Sequence, residues 1–207
     1  MIYEFADKAI KGMNRQNLRA FDGLKTLKFD ELNVFSTVNK TYDNSVRLAK
    51  KRYQQIALEA YAAALVRAFV AKAEAEEMAE DSITEDWVLD MLEEYDPVTL
   101  YQFSTEVERK KQRTVEAIIA SHNKAEVIDR ALRLWTLQTS HYAIKSVDDA
   151  TIGAYKDAGV EKVMWNAEYD EKVCSVCRNR DGKIYPINKV PQKPHYNCRC
   201  WMTPITK

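Results

Sequence analysis

The sequence is poor in glycine and proline, with five of each among 207 residues. Phosphate-binding loops of the nucleotide-binding folds need several closely spaced glycines, and no such cluster occurs here, which argues against those folds. No stretch approaches the roughly eighteen consecutive apolar residues of a membrane span, so we expect none. The first residues, MIYEFADKAIKG, also lack a long apolar run, and we expect no signal peptide.

The chain also lacks an excess of either charge, since Lys plus Arg and Asp plus Glu number 31 each. The net charge therefore indicates no class of partner. The distribution is more informative, because Glu171 to Lys207 holds eight basic and two acidic residues, against 23 basic and 29 acidic in residues 1–170. This pattern predicts a mildly acidic body that carries a basic tail.

Glycine and proline are absent between Gly23 and Pro97 and again between Pro97 and Gly153, which predicts a helical middle. Three of the glycines and four of the prolines lie beyond residue 150. We therefore predict a helical body over residues 1–155, a connector at Gly153 to Gly159, and a separate module over residues 160–207.

Within the body, apolar residues recur every three or four positions from Val46 to Ala71, as in an amphipathic helix. The alanine-rich pattern predicts one continuous helix from Asn44 to Ala79, packed as a long helical hairpin within the region that begins at Asp30. Three further helices have start signals. These are the capping box at Ser82 to Glu85, Asp96 before Pro97, and Asn123. The prediction is four or five helices.

No catalytic group of residues stands out in the body. The acidic side chains between Glu74 and Glu94 are typical of a solvated helix face. His122 and His141 have no cysteine nearby in the sequence. A zinc deaminase would need an H-x-E motif, which is absent.

All four cysteines lie near the end of the chain, in VCSVCRNRDGKIYPINKVPQKPHYNCRCW. Cys174 and Cys177 form a C-x2-C pair, and His195, Cys198 and Cys200 follow after seventeen residues as H-x2-C-x-C. Two pairs of soft ligands at this spacing suit tetrahedral zinc. The Asp-Gly turn after Arg180 predicts a β-hairpin whose arms bring the two pairs together.

Five candidate ligands compete for four positions. We predict zinc binding by Cys174, Cys177, His195 and Cys198, with Cys200 as the alternative fourth ligand. A closed shell of four such ligands indicates structural rather than catalytic zinc. Disulfides are the alternative, but they would need an oxidising compartment. Trp165 and Trp201 are expected to pack around the site.

The lead-in MWNAEYDEKVCSVC, the turn NRDGKIYP and the closing PHYNCRC together resemble the phage head morphogenesis family, the minor head proteins similar to phage Mu protein F. The resemblance implies a non-enzymatic minor capsid protein of a tailed phage virion, made in the host cytoplasm. It also implies association with the portal protein and other head proteins, and a part in head morphogenesis or in DNA packaging and delivery.

The fold expected from pattern and resemblance together is mainly α, an elongated helical body followed by a small zinc-stabilised α+β module. No small-molecule substrate is expected, and phage DNA is a further candidate partner. One alternative is a nucleic-acid-binding zinc module, and a weaker one is a metal-dependent nuclease, which would need a histidine base in addition to His195. The basic side chains that would contact DNA or a protein partner are Arg178, Arg180, Lys183 and Arg199.

Overall fold

The computed structural model describes residues 3–26, 33–168 and 173–205. The predicted start at Asp30 and residues 169–172 of the tryptophan-containing lead-in lie outside these ranges. Seven α-helices, one 3-10 turn and three strands form in the described residues. In chain order they are α1 (Glu4–Lys25), α2 (Val34–Arg67), α3 (Lys72–Ser82), α4 (Glu85–Glu93), α5 (Phe103–Ala120), α6 (Lys124–Asp157), β1 (Lys162–Asn166), α7 (Ser175–Arg180), β2 (Ile184–Pro186), the 3-10 turn Ile187–Lys189 and β3 (Trp201–Ile205).

The mainly helical class with a small carboxyl-terminal β module is confirmed. Six of the described helices precede β1, instead of the four or five predicted. The helices α2 and α6 have 34 residues each, which corresponds to about 51 Å. None of the helices in the described ranges is both long enough and apolar enough to cross a membrane.

The core of the body is aromatic. Trp135 of α6 lies edge-on to Tyr42 of α2 at 5.2 Å between ring centroids, and Tyr42 in turn meets Phe21 of α1 at 5.3 Å. Phe103, the first residue of α5, contacts both Trp135 and Tyr142 of α6. Because each helix supplies at least one of these rings, their burial fixes α1, α2, α5 and α6 against one another.

A buried polar network crosses the same core. The indole N–H of Trp135 donates to the Ser45 hydroxyl at 2.6 Å, and Ser45 also contacts the Asn17 side chain. The Asn17 amide donates to Thr139 at 3.3 Å. Since a shifted helix would leave these groups buried without partners, the network fixes the register of α1, α2 and α6.

The predicted continuous helix from Asn44 to Ala79 is wrong. The helix α2 starts earlier and ends at Arg67, because Phe69 adopts a left-handed conformation with φ of 68°. The N–H of Phe69 then bonds to the Val66 carbonyl and that of Val70 to the Leu65 carbonyl, at 3.1 and 3.0 Å. These are the two bonds of a Schellman motif, which terminates a helix.

The helix predicted to start at Asp96 and Pro97 begins later, at Phe103. The Asp96 carboxylate does accept the Val98 N–H at 2.8 Å, but the backbone then turns. The Leu100 N–H bonds to the Asp96 carbonyl at 2.7 Å, and Leu100 takes a φ of 66°. The segment therefore forms a closed turn between α4 and α5.

The connector is shorter than predicted. Gly153 lies inside α6, where the ring of Tyr61 stands 3.7 Å from the position that a Cβ would occupy. Helix α6 ends two residues before Gly159, which has a φ of 71°. The Gly159 N–H bonds to the Lys156 carbonyl and the Val160 N–H to the Tyr155 carbonyl, which makes a second Schellman motif. The chain enters β1 three residues later.

The three strands form an antiparallel sheet in the order β2-β1-β3. Val163 pairs with Tyr185 on one side and with Pro204 on the other. The Asp-Gly turn is present, but it joins α7 to β2, and β2 pairs with β1 rather than with a strand next to Cys174. The predicted hairpin arm before the turn is instead the short helix α7, because the C-x2-C segment makes a helical turn.

Candidate metal centre

The C-x2-C pair lies at the start of α7. Cys174 is the N-cap residue, and its Sγ accepts a hydrogen bond from the Cys177 N–H at 3.3 Å. Cys177 is buried one turn later, so both sulfur atoms lie on the inner side of the turn. The short spacing thus places two soft ligands together without help from distant parts of the chain.

The second group lies in the segment between the 3-10 turn and β3. Asn197 has a φ of 54°, and this left-handed residue separates His195 from the buried Cys198. The Nδ1 atom of His195 lies 3.0 Å from the Tyr196 carbonyl oxygen. Because a carbonyl only accepts, Nδ1 carries the proton and Nε2 is left with a free lone pair. Ligand histidines in metal sites commonly have such a backbone partner.

Cys177 brings the two groups together. Its Sγ lies 3.4 Å from Cys198 Sγ and 3.6 Å from His195 Nε2. Two ligand sets emerge, in each of which the donor atoms lie within 4.8 Å of one another: Cys174 with Cys177 and His195, and Cys177 with Cys198 and Cys200. Tetrahedral zinc separates two sulfur ligands by about 3.8 Å and sulfur from nitrogen by about 3.6 Å. The donor set therefore fits zinc.

The four thiols are free, and three of them have strongly shifted pKa values. Burial raises the pKa of Cys177 to about 12. The hydrogen bond to Cys200, together with burial, raises the pKa of Cys198. Hydrogen bonds from Cys198 and Cys177 lower the pKa of Cys200 to about 5. The cluster thus concentrates its negative charge on one sulfur, and zinc binding would displace protons from the others.

The cluster is tied to the helical body through Lys193. Its ammonium group donates to the Cys198 carbonyl at 3.1 Å and to the Cys200 carbonyl, and it pairs with Asp148 of α6 at 3.0 Å. The Tyr3 hydroxyl lies 2.6 Å from the ammonium and 2.6 Å from the Asp148 carboxylate. We call these three residues, Tyr3, Asp148 and Lys193, the latch.

Arg199 makes a second connection to α1. Its guanidinium group donates two hydrogen bonds to the Asp7 carboxylate, at 2.9 and 2.5 Å. Bidentate pairs of this kind combine charge with a defined orientation. Arg199, which was predicted to contact DNA or a partner, therefore has its positive charge paired with Asp7 of the same chain.

The other three predicted contact residues differ in exposure. Arg178 and Lys183 are exposed. Arg180 is half-buried, donates to the Gln192 carbonyl at 2.7 Å and lies over the Trp165 ring at 5.0 Å. Trp165 is fully buried in β1, whereas Trp201 lines a cleft together with His195 and Cys198.

This cleft, of about 560 Å³, separates the tail from α6 and from the turn before α5. His141 lies there, buried, with Nε2 2.5 Å from the Asp96 carboxylate and its ring 4.9 Å from Tyr196. Burial disfavours the charge of Asp96, but His141 and backbone N–H groups outweigh it and lower the pKa of this carboxyl. This pair could not be predicted from the sequence, because 45 residues separate its members.

The latch was likewise missed, since Tyr3 lies 190 residues from Lys193. The only available signal was the position of Lys193 between Pro191 and Pro194, in a segment that cannot be helical. The spacing of the candidate ligands, by contrast, was visible in the sequence itself. The four cysteines and His195 form two overlapping groups that share Cys177, and which four of them bind metal stays a prediction.

Residues 105–203 match the family model described as Phage Mu protein F like protein. The matched range runs from α5 through α6 and the sheet to β3, and it includes every cysteine of the chain. Comparison with curated proteins and with solved structures gave no match. The resemblance predicted from the cysteine motif is thus supported: residues 105–203, just under half of the chain, are similar to the phage Mu protein F-like family.

Proposed function

We propose that the protein is a minor head protein of a tailed bacteriophage whose carboxyl-terminal module is folded around one structural zinc ion. The observation that carries this proposal is that the four cysteines and His195 form two close groups joined at Cys177, within the family-matched residues. We assign Cys174, Cys177, His195 and Cys198 as ligands, with Cys200 as the alternative to His195. Bound zinc would cross-link α7 to the segment before β3.

A structural role suits the surroundings of the cluster. Four protein ligands complete a tetrahedral shell and leave no position for a substrate. The nuclease alternative needs a histidine base beside the metal, and His195, the only histidine of residues 160–207, is assigned as a ligand. We therefore propose a non-enzymatic role in the virion, reached after synthesis in the host cytoplasm.

The proposed partners are the portal protein and other head proteins, with a part in head morphogenesis or in DNA packaging and delivery. Similarity to the phage Mu protein F-like family supports a place among head proteins. The nucleic-acid-binding zinc module remains the second candidate, because Arg178 and Lys183 are exposed beside the cluster. Arg199 favours it less, since Asp7 neutralises its charge.

Mass spectrometry under native and denaturing conditions tests the metal assignment. We expect one zinc ion per chain in the native spectrum, lost in Cys174→Ser and retained in the neighbouring control Ser175→Ala. The variants His195→Ala and Cys200→Ser identify the fourth ligand, because only removal of a true ligand should release metal. A metal-free native chain with intact or disulfide-bonded cysteines would contradict the zinc assignment.

Portal association is tested separately, by co-expression with the portal protein of the same phage and purification through a tag on the portal. We expect the two proteins to co-purify at physiological salt. The major capsid protein of the same phage, which does not form the portal vertex, serves as the control bait. Recovery with neither bait, from a correctly folded chain, would contradict the proposed place in the head.

A further inference from the structure

Charge is strongly segregated within a chain that has no net charge. Residues 1–70 carry twelve basic and seven acidic side chains, whereas residues 71–100 carry one basic and eleven acidic ones. The first group covers α1 and α2, and the second covers α3, α4 and the turn that follows. The surface therefore has a basic side and an acidic side, and the net charge conceals both.

The basic side includes a straight row on α1. Lys8, Lys11, Arg15 and Arg19 follow at intervals of three or four residues, so they lie on one face of the helix. All four are exposed, and they point away from the buried face formed by residues such as Met13 and Phe21. The row extends over about 16 Å, and no acidic residue occurs between its ends.

These four cations have no partner among the residues that the structure describes. Other basic side chains of the body do: Lys25 pairs with Asp22 and Asp129, and Lys111 pairs with Asp43. The acidic residues Asp7 and Asp22 of α1 are themselves engaged, by Arg199 and Lys25. Nothing in the described fold therefore neutralises the row.

Helix α2 carries a second row of exposed cations without a described partner, formed by Lys40, Arg47 and Lys51. The contact of Asn17 with Ser45 and that of Phe21 with Tyr42 show that α1 and α2 run antiparallel. Arg15 precedes Asn17 by two residues and Arg47 follows Ser45 by two, so these two arginines lie at about the same level. The two rows therefore run side by side on neighbouring helices.

We propose that this outer face of α1 and α2 binds the phosphate backbone of duplex DNA without sequence selectivity. Duplex DNA carries one negative charge per about 1.7 Å of its axis, so a 16 Å row faces roughly nine phosphates. Rows of solvated cations suit a regular polyanion, and the one acidic residue within either row, Asp43 on α2, is paired with Lys111. The acidic surface of α3 and α4 would repel the same DNA and so restrict it to the basic face.

An acidic protein surface is the competing class of partner. It would be expected to use the apolar side chains exposed on these helices, Leu18, Phe35 and Leu48. Isolated exposed apolar residues are ordinary on protein surfaces, whereas the seven cations are aligned in two neighbouring rows. The charge pattern therefore favours DNA. This inference requires neither the zinc ion nor the portal.

The test is fluorescence anisotropy with a labelled duplex of about 20 base pairs, titrated at several salt concentrations between about 50 and 200 mM. The variant removes the α1 row by Lys8→Gln, Lys11→Gln, Arg15→Gln and Arg19→Gln, which keep helix propensity. A matched control removes four exposed cations elsewhere, by Arg113→Gln, Arg130→Gln, Arg133→Gln and Lys156→Gln. Both have the same net charge, and circular dichroism and zinc content verify their folding.

We expect wild-type binding that weakens steeply with salt, and an α1 variant that binds at least tenfold more weakly at 50 mM. Each lost phosphate contact should reduce the salt slope by about 0.9, so the α1 variant should lose about three to four units. The control should retain the wild-type slope. Absent wild-type binding overturns the proposal, as does an equal loss in the control. A loss found only in the double variant Arg178→Gln and Lys183→Gln would overturn it in favour of the zinc module. If the wild-type protein does not bind DNA but self-associates in a salt-sensitive way, and the α1 variant abolishes this association, the basic face instead binds a second copy of the chain.

Discussion

The helical body and the carboxyl-terminal module are held together by different forces. In the body, Trp135, Tyr42, Tyr53 and Phe103 are almost completely buried among long helices. The module has strands of five, three and five residues, and apart from Trp165 its buried side chains are aliphatic or contain sulfur. Segments near 40 residues rarely build a sufficient core without metal or disulfides. We therefore expect hydrophobic burial to hold the body together, and the module to depend on metal bound at its cysteine cluster.

The comparison predicts its largest effect at Cys177, the residue common to both ligand sets. Cys177→Ser should abolish zinc binding and unfold residues 173–205, because binding free energies on the order of 10 kcal/mol or more fold small zinc modules. The helical signal of the body should persist. Ser175→Ala, on the same turn, is the control. A variant that keeps both zinc and the strand signals of β1 and β3 would show that Cys177 is not a ligand.

A change in the aromatic core should destabilise the body and leave zinc binding intact. Trp135→Ala removes the contacts with Tyr42 and Phe103 and leaves Ser45 without its donor, so we expect a loss of about 3–5 kcal/mol in the free energy of unfolding. Zinc stoichiometry should stay at one per chain. Leu137→Ala, exposed on the same helix, should cost less than about 0.5 kcal/mol. Urea denaturation compares the two, and similar losses would contradict an aromatic core centred on Trp135.

The Asp96 and His141 pair lies where body and module meet, and it should make stability depend on pH. Because the folded state lowers the pKa of Asp96, the carboxylate stabilises the fold above its ordinary pKa near 4. That contribution is lost as pH falls below 4, through the folded pKa. Asp96→Asn should therefore cost about 1–3 kcal/mol at pH 7 and flatten the acid limb of the stability profile. The exposed Asp90→Asn should change neither, and an unchanged acid limb in Asp96→Asn would contradict the assignment.

The carboxyl-terminal ends of α2 and α6 show which helix boundaries could be predicted from the sequence. Both α2 and α6 end in Schellman motifs, with Phe69 and Gly159 at the left-handed position. Glycine there is the usual signal, and the predicted connector at Gly159 was close to the real end of α6. Phenylalanine is not such a signal, so the predicted helix ran past it to Ala79. Its strained conformation is imposed by the packing of α2 and α3, which local sequence does not reveal.

The smallest predicted effect concerns this strained end. Phe69 is 82% exposed, so Phe69→Gly loses little burial and relieves the left-handed conformation. We expect stabilisation of about 0.5–1 kcal/mol, measured by thermal and urea unfolding. Val66→Gly, one turn earlier in helical conformation, should instead destabilise by about 1 kcal/mol. Destabilisation in both would mean that the Phe69 side chain contributes more than its exposure indicates.

The candidate site likewise combines contacts that short sequence spacings predict with contacts between residues far apart in the chain. The C-x2-C and H-x2-C-x-C spacings predicted the convergence of the cysteines with His195, because each pair is brought together by a few residues of backbone. The latch of Tyr3, Asp148 and Lys193 joins positions from both ends of the chain. Only the packing of α1 on α6 creates that contact. Predicting it would have required the tertiary arrangement of the helices.

The most direct test of the account is hydrogen exchange followed by mass spectrometry, on the zinc-loaded protein and after chelation. We expect metal removal to abolish protection in residues 173–205 and, through the latch and the Arg199 pair, to weaken it in the first turns of α1 around Asp7. The middle of α2 and α6 should keep its protection, since the aromatic core does not involve the cluster. Unchanged protection of the module, or an equal loss throughout the chain, would contradict a metal-dependent module on an independently stable body.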